Sequence, residues 1–431
     1  MKIFFYLLFG VTFIINSCTI GQFGTVNDEN KLSLQKKQIH LNDIDNEMQL
    51  NQSKIIKLSV DKDNIDKVLV PEIITDQSIL AIDNSAPCKF TTNTPECFVK
   101  ITAIKLGSTV LRVKLNGFKD EVSTNIKVSS LNFVLLGGYP GAIFTNIDGV
   151  INKSSGSIID RVAYFKGLAT DTKGHYVAIG DSGTILVSFD NGMNWKSPGD
   201  NVGLYNISFQ DVVNDTKGHY VAVGSNGTII VSSDNGINWV QVKNNEDITT
   251  TFLNGVTTDT QGHYVAVDRY GKIIVSSDNG MNWVQAANNG GVTTLNGVTT
   301  DRQGHYVAVG SNGKIIVSSD NGMNWVQATN NGVDTTLNGV TTDRQGHYVA
   351  VGSNGTILVS SDNGLNWQKI NNSVCNDYLN QVIFDSISKN FIIIGNNKCM
   401  IRSYDNGNTW TSLLFMKEKI DINDFQGIAV I

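Results

Sequence analysis

Side chains capable of chemistry are sparse in this 431-residue chain and fall at recurrent positions. Six aspartates, Asp190, Asp234, Asp278, Asp320, Asp362 and Asp405, follow one another at intervals of 44, 44, 42, 42 and 43 residues. Each has a tryptophan five places on: Trp195, Trp239, Trp283, Trp325, Trp367 and Trp410. Each such segment offers a metal ion one carboxylate, whereas calcium takes about 6 to 8 oxygens, so no metal or other cofactor is expected. The residue types suit a local staple instead. The aspartate accepts hydrogen bonds from backbone N–H groups of its own turn, the following Asn-Gly takes a backbone shape that a Cβ resists, and the indole covers the hairpin. Recognition chemistry is sought where near-identical units depart from their own consensus. At a tight turn that usually reads Ser-Asn-Gly, one unit carries Asp268, Arg269 and Tyr270 and another carries Asp181. Asp268, Arg269 and Tyr270 offer a carboxylate, a bidentate donor and a stacking surface for a peptide or sugar. A divergent glycosidase would act through carboxylates such as Asp181 and Asp268.

The elements that hold these residues are read from the repeat. The stretch Gly218-His219-Tyr220-Val221-Ala222-Val223-Gly224 and the turn, strand and Trp239 segment after it recur nearly letter for letter around Trp283, Trp325 and Trp367. All six tryptophans occupy one position of the unit, and every histidine except His40 begins the same strand. A period of 42 to 44 residues is the length of a four-stranded propeller blade. Leu295-Asn296-Gly297-Val298-Thr299-Thr300 reads as a first strand, His305 to Val309 as a second, Lys314 to Ser318 as a third, and a short fourth lies near Trp325. A degenerate copy precedes these, with Asp148 standing 42 residues before Asp190, but it has no first strand of its own. The C-terminal Phe425-Gln426-Gly427-Ile428-Ala429-Val430 resembles the missing strand, and supplying it would close the ring and remove exposed edges. The expectation is an all-β chain whose residues 131–431 form a β-propeller of seven blades, or six if the degenerate copy does not count. Ser-Asn-Gly turns and blade connections then share one face around a channel mouth, with Arg302 and Arg344 on the turns opposite it.

The Ser-x-Asp-Asn-Gly-x-x-Trp segments match the Asp-box, or BNR, repeat. Propellers of that type include sialidases, which use an arginine triad, a Tyr-Glu nucleophile pair and an Asp acid. This chain departs from them: only Glu246 and Glu418 follow Leu131, and no Arg-Ile-Pro motif is present. Its Val-Ala-Val-Gly-Ser-Asn-Gly-Thr-Ile wording more closely resembles the photosystem II assembly-factor type of propeller, over roughly 300 residues. That resemblance implies a binding or assembly protein that presents a propeller surface to a protein or glycan, and not an enzyme. A divergent sialidase-like glycoside hydrolase and a structural spacer or adhesin with variable repeat number are the alternatives.

Upstream, Lys2 and an apolar run from Ile3 to Ile15 form the core of a signal peptide, too short to span a bilayer. The Ile-Asn-Ser-Cys ending resembles a bacterial lipobox, which implies removal of residues 1–17 and a lipid on Cys18. The expected location is therefore exported and membrane-anchored, at the outer membrane, its periplasmic face or the cell surface. Residues 18–54 read as a polar tether. Residues 55–130 show short alternating strands and resemble bacterial immunoglobulin-like domains, a small β-sandwich. Without Cys18, an even set of four cysteines remains, which suits an oxidising compartment. Cys88 and Cys97 flank one polar loop of the sandwich, and Cys375 and Cys399 fall on one propeller face. Charged residues make up 17% of the chain and the net charge is −6, with no basic stripe, so nucleic acid is not an expected partner.

Overall fold

The computed structural model describes residues 39–42, 47–49, 53–60, 68–83, 88–115, 121–138, 141–148, 150–154, 164–198, 204–242, 252–292, 294–329, 332–413 and 423–431. The export segment, Cys18, most of the stretch read as a tether, Glu246 and Glu418 lie outside the described residues.

The N-terminal part is a sandwich of two four-stranded sheets. One runs in the order Ile39–Asn42, Ser53–Val60, Glu96–Ala103, Leu80–Asp83, and the other Glu47–Gln49, Glu121–Ser129, Gly107–Leu115, Pro71–Ile74. Alternation builds it: along Glu96–Ala103, Cys97, Val99, Ile101 and Ala103 are buried while Glu96, Phe98 and Lys100 face out. Two of its strands, Ile39–Asn42 and Glu47–Gln49, arise within residues 18–54, so the sandwich begins earlier than the sequence reading placed it. Polar composition hid them, because both are edge strands with one neighbour each.

The remainder is a β-propeller. Among the described residues, six sheets of four antiparallel strands and one of three follow one another in a ring. The first combines Phe133–Gly137, Ala142–Ile147 and Val150–Lys153 with the C-terminal Phe425–Val430, which pairs antiparallel with Phe133–Gly137. The innermost strands of the other sheets are Phe165–Thr170, Phe209–Asn214, Leu253–Thr258, Leu295–Thr300, Leu337–Thr342 and Leu379–Asp385. Each neighbours the next, and Phe425–Val430 touches both Leu379–Asp385 and Phe165–Thr170, so the ring closes. Second and third strands such as Tyr306–Gly310 and Ile315–Ser318 are buried along their whole length. Their two faces serve two cores. Val265, Val267, Ile273 and Val275 of the fourth blade pack on Leu295, Tyr306, Ile316 and Trp325 of the fifth. That double burial explains the unbroken apolar runs in the sequence.

Every innermost strand carries a bulge at the same place, between Phe165 and Gly167, Phe209 and Asp211, Leu253 and Gly255, Leu295 and Gly297, Leu337 and Gly339, Leu379 and Gln381, and Phe425 and Gly427. A bulge re-aims the extra residue. In four blades that residue is an asparagine whose Nδ2 donates to the next blade: Asn254 to Leu295 O (2.8 Å), Asn296 to Leu337 O (2.8 Å), Asn338 to Leu379 O (2.9 Å) and Asn380 to Phe425 O (2.8 Å). A row of side-chain clasps thus binds successive blades around the channel. Cys375, in the connection before the seventh blade, and Cys399, just before its third strand, have Cα atoms 5.9 Å apart. Cys88 and Cys97 of the sandwich are 5.5 Å apart.

Candidate functional site

The repeated turn accounts for its own residues. In the fifth blade Ser318 Oγ donates to Asp320 Oδ1 (2.8 Å) and accepts from Gly322 N (3.1 Å). Asp320 also receives Asn324 N (2.9 Å) and Asn324 Nδ2 (2.8 Å), and Trp325 Nε1 donates to Gly322 O (2.8 Å). The serine and asparagine share work the sequence reading gave to backbone N–H groups alone. The arrangement recurs around Asp190, Asp234, Asp278 and Asp362, and Thr409 replaces the asparagine for Asp405. Histidines have a structural partner too. His175, His219, His263, His305 and His347 each bond through Nδ1, at 2.6–2.7 Å, to a buried aspartate four residues earlier. Among the described residues no cluster of three or more His, Cys, Asp or Glu side chains is arranged to hold a metal ion.

These turns set a pH dependence. Partial burial would raise the carboxyls of Asp190, Asp234, Asp278, Asp320, Asp362 and Asp405, but hydrogen bonds from serine and from asparagine or threonine outweigh it and hold all six below 3.8. A depressed folded-state value means their stabilisation is present above the unfolded value and is lost as pH falls through the folded one. Asp211 and Asp268 act with the opposite sign, because burial raises both, Asp211 to about 7. Their protonation on acidification favours the folded state. The expected urea midpoint rises from pH 7 towards pH 4 to 5 and drops steeply below about 4. A midpoint that does not move between pH 5 and pH 3 would contradict this account of the turns.

The tight turn at the opposite end of each blade is where units differ. Gly180, Gly224, Gly310, Gly352 and Gly395 begin it, and a Cβ there would stand 1.9–2.5 Å from the carbonyl oxygen of the residue preceding the blade's innermost strand. The fourth blade nonetheless carries Asp268 in this place. Asp268 is fully buried, its Oδ1 accepting from Tyr270 N (2.8 Å) and Lys272 N (2.6 Å), while Oδ2 has no hydrogen-bond partner. An orphaned buried carboxylate oxygen costs stability, on the order of 1–3 kcal/mol. The left-handed pair of the consensus, Asn312 and Gly313 at φ 55° and 63°, is replaced by a turn with only Gly271 (φ 76°) left-handed.

The result lifts two side chains. Arg269 lays its guanidinium 4.5 Å from the centroid of Phe252, and Tyr270 stands 67% exposed. Beside them a groove of about 390 Å³ runs between residues 270–273 and 285–289. Asn289 in its lining bonds to backbone carbonyls of Gly271 and Val292, and Asn288 to Trp325 N and the Asn324 side chain, so Tyr270, Gln285 and Lys272 give it its chemical character. Of the three residues singled out in this turn, the structure offers Arg269 and Tyr270 at the surface and turns Asp268 inward. Asp181 stands on the second blade, paired with Lys166 Nζ at 2.8 Å and accepting from Ser208 Oγ.

The channel is a polar cavity of about 380 Å³ lined by the innermost strands. Arg302 and Arg344, on the turns opposite the mouth, line its far end. Burial and the charge of Arg344 push the Arg302 guanidinium down to about 10, against the pull of Asp259. Two further channel residues escaped the sequence reading. At the third position of the innermost strand five blades have glycine, but the third has Asp211 and the seventh Gln381. Asp211 Oδ2 accepts from Val256 N of the fourth blade (2.9 Å), and Gln381 Oε1 accepts from Ile428 N across the closing seam (2.9 Å). The signal was available in the alignment of the seven innermost strands.

No family model matches the sequence, and no curated protein matches it. Solved structures do share its fold. A structure described as YCF48 bound to D1 peptide is 17% identical, with a TM-score of 0.51 over 64% of this chain and 92% of that one. YCF48 from Cyanidioschyzon merolae is 16% identical with a TM-score of 0.46, covering 58% of this chain and 85% of that one. The WD40 β-propeller domain of Doa1 is 12% identical with a TM-score of 0.47, covering 64% and 88%. At such identities the likeness is one of fold.

Proposed function

We propose that this protein is a binding or assembly module that presents the face bearing residues 268–272 to a polypeptide partner, and that it has no catalytic role. The reading is carried by one observation: Asp268 occupies a glycine position at a cost in stability, and the altered turn displays Arg269 and Tyr270 beside a groove. Local rules of a repeat are broken where something other than folding is gained. An exposed tyrosine flanked by an arginine and a lysine matches the residue types that dominate protein interfaces. The structure described as YCF48 bound to D1 peptide is consistent with a propeller serving as a peptide platform. Of the carboxylates a hydrolase reading would draw on, Asp268 caps its own turn and Asp181 is engaged by Lys166 and Ser208. Export and anchoring through Cys18 belong to the same proposal, with the partner in the cell envelope or at its surface.

The test replaces the turn by its own consensus, Asp268→Gly, Arg269→Ser and Tyr270→Asn together. The variant is expected to fold with a stability equal to the parent's or up to about 1 kcal/mol higher, since the orphaned carboxylate is gone. It is also expected to bind a partner captured from cell envelopes at least ten-fold more weakly. A stable variant that keeps every interaction at full affinity would overturn the proposed face. Turnover of a sialoside by the parent protein would overturn the non-enzymatic reading.

A further inference from the structure

We propose that Asp211 makes the central channel a binding site for a primary ammonium group entering from the face of the Ser-Asn-Gly turns. The site is independent of the turn at residues 268–272. Asp211 stands in the seam between the third and fourth blades, partly open to the lumen, at a level where Gly167, Gly255, Gly297, Gly339 and Gly427 add no side chain. Its oxygens each accept one backbone hydrogen bond, from Val212 N (2.8 Å) and Val256 N (2.9 Å). An ionised carboxylate has about four acceptor sites, so roughly two remain.

Among the channel asparagines, Asn254 and Asn380 bond through Nδ2 both to a backbone carbonyl of the next blade and to a second amide oxygen, of Asn296 (3.4 Å) and Asn396 (2.8 Å), while Asn296 and Asn338 each give one donor to the next blade. The nearest lysine on the wall, Lys166, is taken by Asp181 at 2.8 Å and Ser208 at 2.9 Å. The other charged side chains that line the channel are Arg302 and Arg344, at its far end. Burial is what raises the Asp211 carboxyl, opposed only by its two backbone donors, with no charged side chain contributing. Among the described residues, then, the lumen holds an acidic group with no counter-cation beside it, and no histidine lines it.

The missing complement is compact, positively charged and rich in donors. An ammonium supplies three N–H donors and one charge. A divalent ion needs more carboxylates than one to offset its dehydration. A guanidinium fork needs both oxygens of a carboxylate free on one edge, and here both are already engaged. The arginines repel a cation from the far end, which sets the direction of entry. Either a free primary amine or the side chain of a lysine on a bound polypeptide supplies the group.

Calorimetric titration of the protein with n-butylamine, and separately with a short peptide containing one lysine and blocked termini, tests the assignment at pH 8 and pH 5.5. One-to-one binding is expected at pH 8, at least ten-fold weaker at pH 5.5 as Asp211 takes up a proton, and at least ten-fold weaker in Asp211→Asn and Asp211→Gly. Binding of both probes assigns the ammonium itself as the ligand, and binding of the peptide alone assigns a lysine presented by a polypeptide. Absence of binding by either probe at pH 8, unchanged affinity in folded variants, or binding of calcium in place of the amines overturns it. The pH comparison uses the unaltered protein and decides the matter even if neither variant folds.

Discussion

Gly322→Ala is expected to destabilise the propeller by about 2–5 kcal/mol, the sum of a left-handed backbone that alanine resists and an overpacked seam. Gly322 sits at φ +83°, and a Cβ would lie 2.6 Å from Val265 Cγ2 on the preceding blade. The same collision awaits at Gly236 and Gly364, at 2.7 Å from Val177 and Val307. The glycine of the repeated turn is therefore an inter-blade contact as well as a turn residue. Gly332→Ala separates the two effects, because Gly332 also has a positive φ (+74°) but nothing within 4 Å of its would-be Cβ. That variant is expected to lose only about 1 kcal/mol. Urea unfolding of both decides the point, and equal losses would show that packing against the neighbouring blade contributes nothing.

Removing residues 425–431 is expected to abolish cooperative unfolding of the propeller. The segment buries Phe425, Ile428 and Ala429 and supplies the innermost strand of the first blade. At about 1.5–3 kcal/mol for each large apolar side chain, plus the backbone ladder to Phe133–Gly137, the loss is about 5 kcal/mol or more, comparable with the stability of a typical domain. The newly exposed edge of Phe133–Gly137 is apolar and wholly buried in the intact ring, so association of the shortened chain is expected on size exclusion. A synthetic peptide covering residues 423–431 is expected to restore the monomer. A truncated chain that unfolds in one step at the parent's midpoint would refute the role assigned to this strand.

The propeller was legible because its signals are local and repeated. A fixed interval between aspartates, a tryptophan at a constant offset and apolar runs flanked by Asn-Gly each reflect contacts within one blade. The strands at Leu295–Thr300 and Ile315–Ser318 could be read almost to the residue for that reason. Features that depend on neighbouring blades were harder to see. The bulges place Asn296 opposite Leu337 O, a contact between residues 41 positions apart that no periodicity within a strand announces. Asp211 and Gln381 become meaningful only when the innermost strands are compared with one another. Asp268 is legible in the sequence as a departure from the repeat. Its direction was not readable, since a buried aspartate capping its own turn and an exposed one reaching for a ligand look alike in one dimension. The edge strands at Ile39–Asn42 and Glu47–Gln49 failed for a different reason: three or four polar-rich residues acquire strand geometry from the partner they join.

The clasps between the fourth and fifth, fifth and sixth, and sixth and seventh blades are chemically the same bond: an asparagine amide held by the first carbonyl of the next innermost strand. Those units are interchangeable links. Excising or adding one whole such unit would leave every remaining seam with a matching partner. Such an event changes the curvature of the ring without creating an unmatched surface. The seams guarded by Asp211 and Gln381 have no such freedom, and they mark the part of the ring whose order is fixed.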